Sequence, residues 1–246
     1  MHRCYVPQAD LLAAHTLDIE GEEAKHALKV MRLRAGDECE VFNGCGQAAV
    51  GRITATSGSS LFTLGELRAL PPLPPVADIT LALAIPKGSN MDLIVQKAVE
   101  MGVSRIIPLI SERTIVRLDA RDAAAKATKW NRTVLEACKQ CGVNHLPVVE
   151  TPQSYTSFLQ RQDLPETKLQ CAIVPHARPL RELLEAARTT GRKSCVILIG
   201  PEGDFSPAEY AAGEAAGYLP ASLGPIILRV ETAVFLAVAS ARYALD

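Results

Sequence analysis

The chain has 246 residues, 48% of them hydrophobic and 22% charged, with a formal net charge of −1. That balance belongs to a globular protein long enough for a substantial core, and it excludes both a disordered chain and a protein that coats nucleic acid indiscriminately. A local basic face stays open, because attraction follows the distribution of charge as well as its sum.

The opening stretch MHRCYVPQAD lacks the apolar core of a secretory signal, and no apolar run reaches the roughly 20 residues that span a bilayer. A cytoplasmic protein with no membrane partner is expected. Seven cysteines, Cys4, Cys39, Cys45, Cys138, Cys141, Cys171 and Cys195, are scattered along the sequence. In a chain without an export signal they read as reduced thiols. Cys138, Cys141 and His145 form a C-x-x-C-x-x-x-H string, but no second close pair completes a four-ligand set, so no metal is expected.

Further along the chain, Lys25, His26, Lys29, Arg32 and Arg34 cluster within ten residues. Such a cluster is either a stripe that tracks phosphates or a solvated helix face. The pieces ECEVFNG and AAVGRITAT alternate and are broken by Gly44, Gly46, Gly51 and Gly58, as in a small domain of short strands. PPLPP at 71–75 is stiff and cannot sit inside a sheet or helix, which places a hinge between domains at 1–70 and 76–246. Beyond it, DITLALAI (78–85), RIIPLI (105–110), QCAIV (170–174) and SCVILIG (194–200) are continuous apolar runs, as in strands covered on both faces. NMDLIVQKAVEMG places Met91, Ile94, Val95, Ala98 and Met101 on one helical face, and RPLRELLEAAR does the same with Leu180, Leu183, Leu184 and Ala187. Strand and helix in alternation predict an α/β domain, a parallel sheet with helices on both sides.

Two loops stand out. In LIGPEGDFSPAEY (198–210), Ser206 can cap a helix, Pro207 suits its first position and Glu209 completes a capping box. GPEGDF therefore joins strand to helix at a strand's carboxyl end, where ligands gather in open α/β sheets, although an ordinary tight turn fits these residues too. In SLGPIILRVETAVFLAVAS (222–240), Gly224 and Pro225 follow another short strand, and Arg229, Glu231 and Thr232 precede a long apolar helix. Charges wedged between apolar runs are costly unless paired or used. Against that stands a plain helix start, with Glu231 favourable to the helix dipole and Arg229 exposed. No G-x-G-x-x-G follows a strand and no Walker A loop is present, which speaks against a nucleotide-binding enzyme of small molecules.

Taken together, IPKGSNMDLIVQKAVEMGVSRIIPLISER, LIGPEGDFSPAEY and SLGPIILRVETAV closely resemble the RsmE family of ribosomal RNA methyltransferases, within the SPOUT superfamily. EEAKHALKVMRLRAGDECEVFNGCGQ resembles that family's first domain, so nearly the whole chain is covered in the right order. The resemblance implies a PUA-like β-barrel followed by a SPOUT α/β domain with a C-terminal trefoil knot. It also implies a homodimer that uses S-adenosyl-L-methionine to methylate N3 of a uridine in the 16S rRNA of the small ribosomal subunit.

By the same resemblance, Leu198, Ile199, Gly200, Pro201, Glu202 and Gly203 form one wall of the cofactor site, and Leu223, Gly224, Ile227 and Leu228 another. Val174, Pro175 and His176 supply a third, and glycine matters where a Cβ would hold the cofactor off the backbone. Arg229 then stabilises the developing uridine anion, Glu231 orients Arg229 or relays the proton, and Thr232 fixes the loop. RNA is expected on Lys25, His26, Lys29, Arg32 and Arg34, with Lys87 near the cofactor domain. Three departures from the family pattern are Asp204 where relatives often have glycine, Ile226 for a frequent arginine, and Val143 for a common arginine. They keep two alternatives in view: an rRNA-binding protein that keeps the fold without transfer, and a SPOUT methyltransferase acting on a different RNA nucleotide.

Overall fold

A computed structural model describes residues 1–7 and 9–246. They form two compact units, Met1–Pro74 with Cys138–Leu146, and Pro75–Ala137 with Pro147–Asp246.

The first unit contains β1 (His2–Tyr5), β2 (Leu17–Glu20), α1 (Gly21–Lys25), β3 (Glu38–Phe42), β4 (Ala48–Ser57) and β5 (Leu61–Ala69). The strands form one sheet in the order β1-β3-β4-β5-β2, antiparallel except for the β1–β3 pair. Alternation sets the face: Cys39 and Val41 from β3, Ile53 from β4, and Phe62 and Leu64 from β5 pack with Cys4, Leu11, Ile19, Ala24 and Ala27. The basic cluster does not lie along one helix. After α1 a π-helical turn spans His26–Val30, and Arg32 then adopts a left-handed backbone with φ 59°. Lys25, His26, Lys29, Arg32 and Arg34 are all exposed, spread over helix, π turn and loop.

Arg3, only 7% exposed, anchors this unit. Its Nε donates to Glu40 Oε1 at 2.8 Å, Nη1 to the Cys138 carbonyl at 2.6 Å and Nη2 to Asn144 Oδ1 at 2.5 Å, and the guanidinium lies 4.4 Å from the Phe42 ring centroid. A desolvated cation is tolerable here because its donors are met by a carboxylate, a carbonyl and an amide oxygen. The C-x-x-C-x-x-x-H string is drawn into the same packing. The Cys138 thiol is buried and pushed up to about 12 by desolvation, and the His145 ring occupies the space where a Cβ on Gly46 would lie. Among the described residues no group of three or more His, Cys, Asp or Glu could hold a metal ion.

The second unit carries β6 (Asp78–Ala84), α2 (Asn90–Glu100), β7 (Val103–Ile110), most of α3 (Ala120–Cys141), β8 (Val148–Val149), β9 (Gln153–Ser154), α4 (Tyr155–Leu159), β10 (Lys168–Cys171), β11 (Arg178–Pro179), α5 (Leu180–Thr189), β12 (Ser194–Ile199), α6 (Pro207–Ala215), β13 (Leu219–Ser222) and α7 (Val230–Leu245). Its sheet runs β11-β13-β10-β12-β6-β7-β8, with β9 also paired to β7, and every pairing is parallel. β6 and β12 lie at its centre, which is why their sequences are apolar almost throughout. α7 packs on α2, α5, β6 and β12. Val196 and Leu198, alternate residues of β12, join Tyr155, Phe158, Phe205, Tyr210 and Tyr218 in a separate aromatic cluster. Among the described residues no helix is long and apolar enough to cross a membrane.

One expected strand ends early. The run at 170–174 is extended only through Cys171; Ala172 N–H still reaches the Ala221 carbonyl at 2.9 Å, and the chain then leaves the sheet with Ile173 exposed. The last apolar residues of that run are used in a loop wall.

Candidate active site

β12 delivers the buried Gly200 and Pro201 at its carboxyl end, and the turn that follows is pinned from both flanks. Glu202 Oε1 accepts from the Lys87 backbone N–H at 2.8 Å, and Arg113 Nη1 donates to the Gly203 carbonyl at 2.8 Å. The expected capping box is present: Ser206 Oγ accepts from Glu209 N–H at 3.3 Å, Glu209 Oε2 accepts from Ser206 N–H at 2.9 Å, and Pro207 opens α6. Asp204 sits at φ 61°, the left-handed region that favours glycine. Aspartate is tolerated there because its carboxylate bonds locally, accepting from Phe205 N–H at 2.8 Å and from the Tyr210 hydroxyl at 2.6 Å. Burial, and then the bond to Asp204, push the Tyr210 phenol far above its ordinary range, so it stays a donor.

The second loop follows β13. Gly224 has φ 117°, a Cβ there would meet nothing within 4 Å, and Arg229 is the N-cap residue of α7 in an extended conformation. With the segment after β10, these loops enclose a cavity of about 810 Å³. Of the residues expected there, Pro175, Ile199, Gly200, Pro201, Glu202, Leu223, Gly224, Ile227, Leu228, Arg229 and Glu231 line it, as does Val174.

Leu198, Gly203, His176 and Thr232 are not part of this lining. Leu198 is fully buried in the aromatic cluster, and Gly203 lies against the Arg113 side chain. His176 bonds Glu214, at 3.0 Å, beside a separate hollow. Thr232 is one helical step, about 100°, round from Glu231 and is exposed. Lys87 is exposed and contributes its backbone N–H to Glu202.

The structure adds residues that the sequence did not mark for the site, Asn90, Cys171 and Ile173 among them, and places Asp204, marked as a departure from the family pattern, in the same lining. Asn90 Nδ2 donates to Glu231 Oε2 at 3.4 Å, whereas no hydrogen bond or ion pair joins Arg229 to Glu231 among the described residues. Asn90 lies 141 positions from Glu231, so no local spacing could have paired them.

The lining suits a ligand with a flat apolar ring and a polar tail. Ile226 and Ile227 stand 74% and 79% exposed on it, and the open side of Gly224 lets a ligand touch the backbone. Cys171 faces the same cavity, yet burial, with a smaller contribution from Cys195, pushes its thiol up to about 12. Iodoacetamide at pH 8 should therefore label the exposed Cys45 at least about a hundredfold faster than Cys171, because only the thiolate reacts. Peptide mapping of the alkylated chain checks this, and comparable labelling of the two would refute it.

The RNA methyltransferase domain family matches residues 72–242, and the RNA methyltransferase PUA domain family matches 19–63. Ribosomal RNA small subunit methyltransferase E of Synechocystis sp. is 31% identical over 242 residues, covering 97% of this chain and 76% of that protein. The Bacillus subtilis protein of the same name is 30% identical over 241 residues, covering 94% and 91%. The crystal structure of ribosomal RNA small subunit methyltransferase E from Neisseria gonorrhoeae, bound to S-adenosyl methionine, matches with a TM-score of 0.85 at 33% identity, over 98% of this chain and 96% of its own. Agreement in sequence and fold runs through both units, and the chain belongs to the ribosomal RNA small subunit methyltransferase E family.

Proposed function

We propose that this chain transfers a methyl group from S-adenosyl-L-methionine to N3 of a uridine in the 16S rRNA of the small ribosomal subunit. The observation that carries this reading is the cavity in which strand-end loops converge with Arg229 and Glu231 in its lining, in a chain whose relative is solved bound to S-adenosyl methionine. When bound, that cofactor supplies a methyl group on a sulfonium. The protein's own residues then have to place the uridine in line and make its N3 nucleophilic.

N3 carries a weakly acidic proton, and the nitrogen attacks only as that proton leaves. Glu231 takes it: Asn90 holds Oε2, which leaves Oε1 for the proton. Arg229 meets the negative charge that spreads onto the uracil oxygens. The N3–C bond forms as the S–C bond breaks, so charge and atoms balance. The open side of Gly224 lets its loop close on the cofactor, with Pro175, Ile199, Gly200, Pro201, Glu202, Leu223, Ile227 and Leu228 around it, while a Cβ on Gly200 would press on Asp204 and Phe205 of its own turn.

In the same reading residues 1–70 recognise RNA and 76–246 catalyse, on either side of the 71–75 hinge. The exposed Lys25, His26, Lys29, Arg32 and Arg34 meet phosphates. A trefoil knot ties the C-terminal part, a reading supported by β13 lying between β10 and β11. Two copies associate through apolar side chains left exposed on α2 and α7, namely Leu93, Leu236 and Tyr243. The reaction takes place in the cytoplasm, on the small subunit. Mass spectrometry of small-subunit rRNA from cells with and without this protein tests the reading: N3-methyluridine should vanish without it and return with the wild-type chain. Its persistence in cells lacking the protein would refute the assignment.

A further inference from the structure

A second hollow of about 540 Å³ adjoins the first and shares only Val174 with it. Phe205 and Tyr210, 2% and 7% exposed and packed edge to face at 5.8 Å between ring centroids, give it an aromatic lining, to which Pro207 adds. Its polar groups carry both signs of charge. Arg113 is held by Nη1 on the Gly203 carbonyl, with a longer contact of 3.5 Å to the Phe205 carbonyl, and its remaining N–H groups have no partner among the described residues. Glu214 Oε1 meets His176 Nε2 at 3.0 Å, while its Oε2 has no hydrogen-bond partner among the described residues. The transfer chemistry uses neither group.

We infer that this hollow is a nucleotide subsite that takes a guanine of the substrate RNA beside the methylated uridine, an inference that rests on the function proposed above. Its volume falls in the range of small-ligand pockets. Guanine presents N1–H and the N2 amino group side by side, a donor edge that suits a carboxylate, whose oxygens accept at several lone-pair sites. Uracil sets a carbonyl on each side of its N3–H, and adenine and cytosine each set an acceptor nitrogen beside the amino group, so Glu214 disfavours all three. The Arg113 fork matches guanine O6 and N7, or a phosphate. The exposed Pro207 gives the base an apolar contact, with the buried Phe205 and Tyr210 rings forming the floor beneath it. Because Val174 borders both hollows, a base here is a neighbour of one presented to the first.

The test titrates guanosine 5′-monophosphate by calorimetry into the full chain saturated with S-adenosyl-L-methionine, which fills the first cavity's adenosine site, with uridine and adenosine monophosphates as comparisons. The guanine nucleotide should bind about tenfold more tightly than either. The preference should be lost in Glu214→Gln, whose thermal midpoint and S-adenosylmethionine affinity stay at the wild-type values. In methylation assays the same variant should raise KM for rRNA about tenfold while kcat holds. Equal binding of the three nucleotides, no saturable binding at millimolar concentration, or a preference that survives in Glu214→Gln would overturn the subsite. Guanine preference with an unaltered KM for rRNA would assign the hollow to a free nucleotide and overturn the RNA assignment. The titration needs no methyl transfer: an inactive wild type that still prefers guanine would refute the reaction and leave the base preference standing.

Discussion

Arg229→Ala is expected to slow methyl transfer by about 10²–10³-fold, the loss typical of removing one donor from a developing oxyanion. The arginine is an exposed N-cap residue, and its side chain makes no hydrogen bond among the described residues that would hold the fold. The backbone bond from Ala233 N–H to the Arg229 carbonyl, 2.9 Å, is indifferent to the side chain. Thermal stability and cofactor affinity should therefore stay near the wild-type values while the single-turnover rate collapses. Arg229→Lys should recover only part of the rate, since an ammonium keeps the charge and loses the planar fork. Single-turnover assays with labelled cofactor and undermethylated subunits decide the matter; an alanine variant within a factor of two of the wild type would remove Arg229 from the chemistry.

Arg3→Met should cost about 3–5 kcal/mol in the stability of the first unit, the usual penalty for taking one partner from a buried ionic network. Methionine fills much of the same volume, so the loss comes mainly from the groups left behind. Glu40 is 17% exposed in its side chain, Asn144 is buried, and the Cys138 carbonyl loses its guanidinium donor. Orphaned polar groups cost more than the modest net gain of each bond made, which is why removal outweighs the added apolar contact. Arg3→Met with Glu40→Gln should recover part of the loss by discharging the stranded carboxylate. Denaturant unfolding followed by circular dichroism measures both variants, and a single-variant loss below about 1 kcal/mol would show the network to be incidental.

Strands covered on both faces were readable because burial writes itself as unbroken apolar sequence: Asp78–Ala84 and Ser194–Ile199 lie within a residue of their expected bounds. Asn90–Glu100 and Leu180–Thr189 were readable from a single apolar face, and Ser206 with Glu209 from the chemistry of a helix start. Functional demands blurred other signals. Ile173 looks like strand core, yet it is 68% exposed on the cavity, because an apolar residue that serves a ligand has the same composition as one that serves a sheet. The basic cluster suggested a helix face, but a π turn and the left-handed Arg32 break it, and neither leaves a periodic trace. Asn90 beside Glu231, and Arg113 on the Gly203 carbonyl, are products of tertiary closure over long separations, invisible to any local window. The residue at 204 was marked as a departure, and its left-handed backbone gives the physical reason that position favours glycine.

The place of β13 between β10 and β11 bears on how the molecule is made. β10 and β11 emerge from the ribosome long before their shared neighbour, so the sheet must wait with an open seam until residues 219–222 arrive. Pairings so distant in sequence pay loop-closure entropy before any contact rewards it, which slows folding. The segment 222–233 follows all the other residues that line the main cavity. A nascent chain thus closes its sheet, covers β6 and β12 with α7 and completes the main cavity only when its last segments arrive, so a stalled or truncated product lacks both a finished core and a finished cavity.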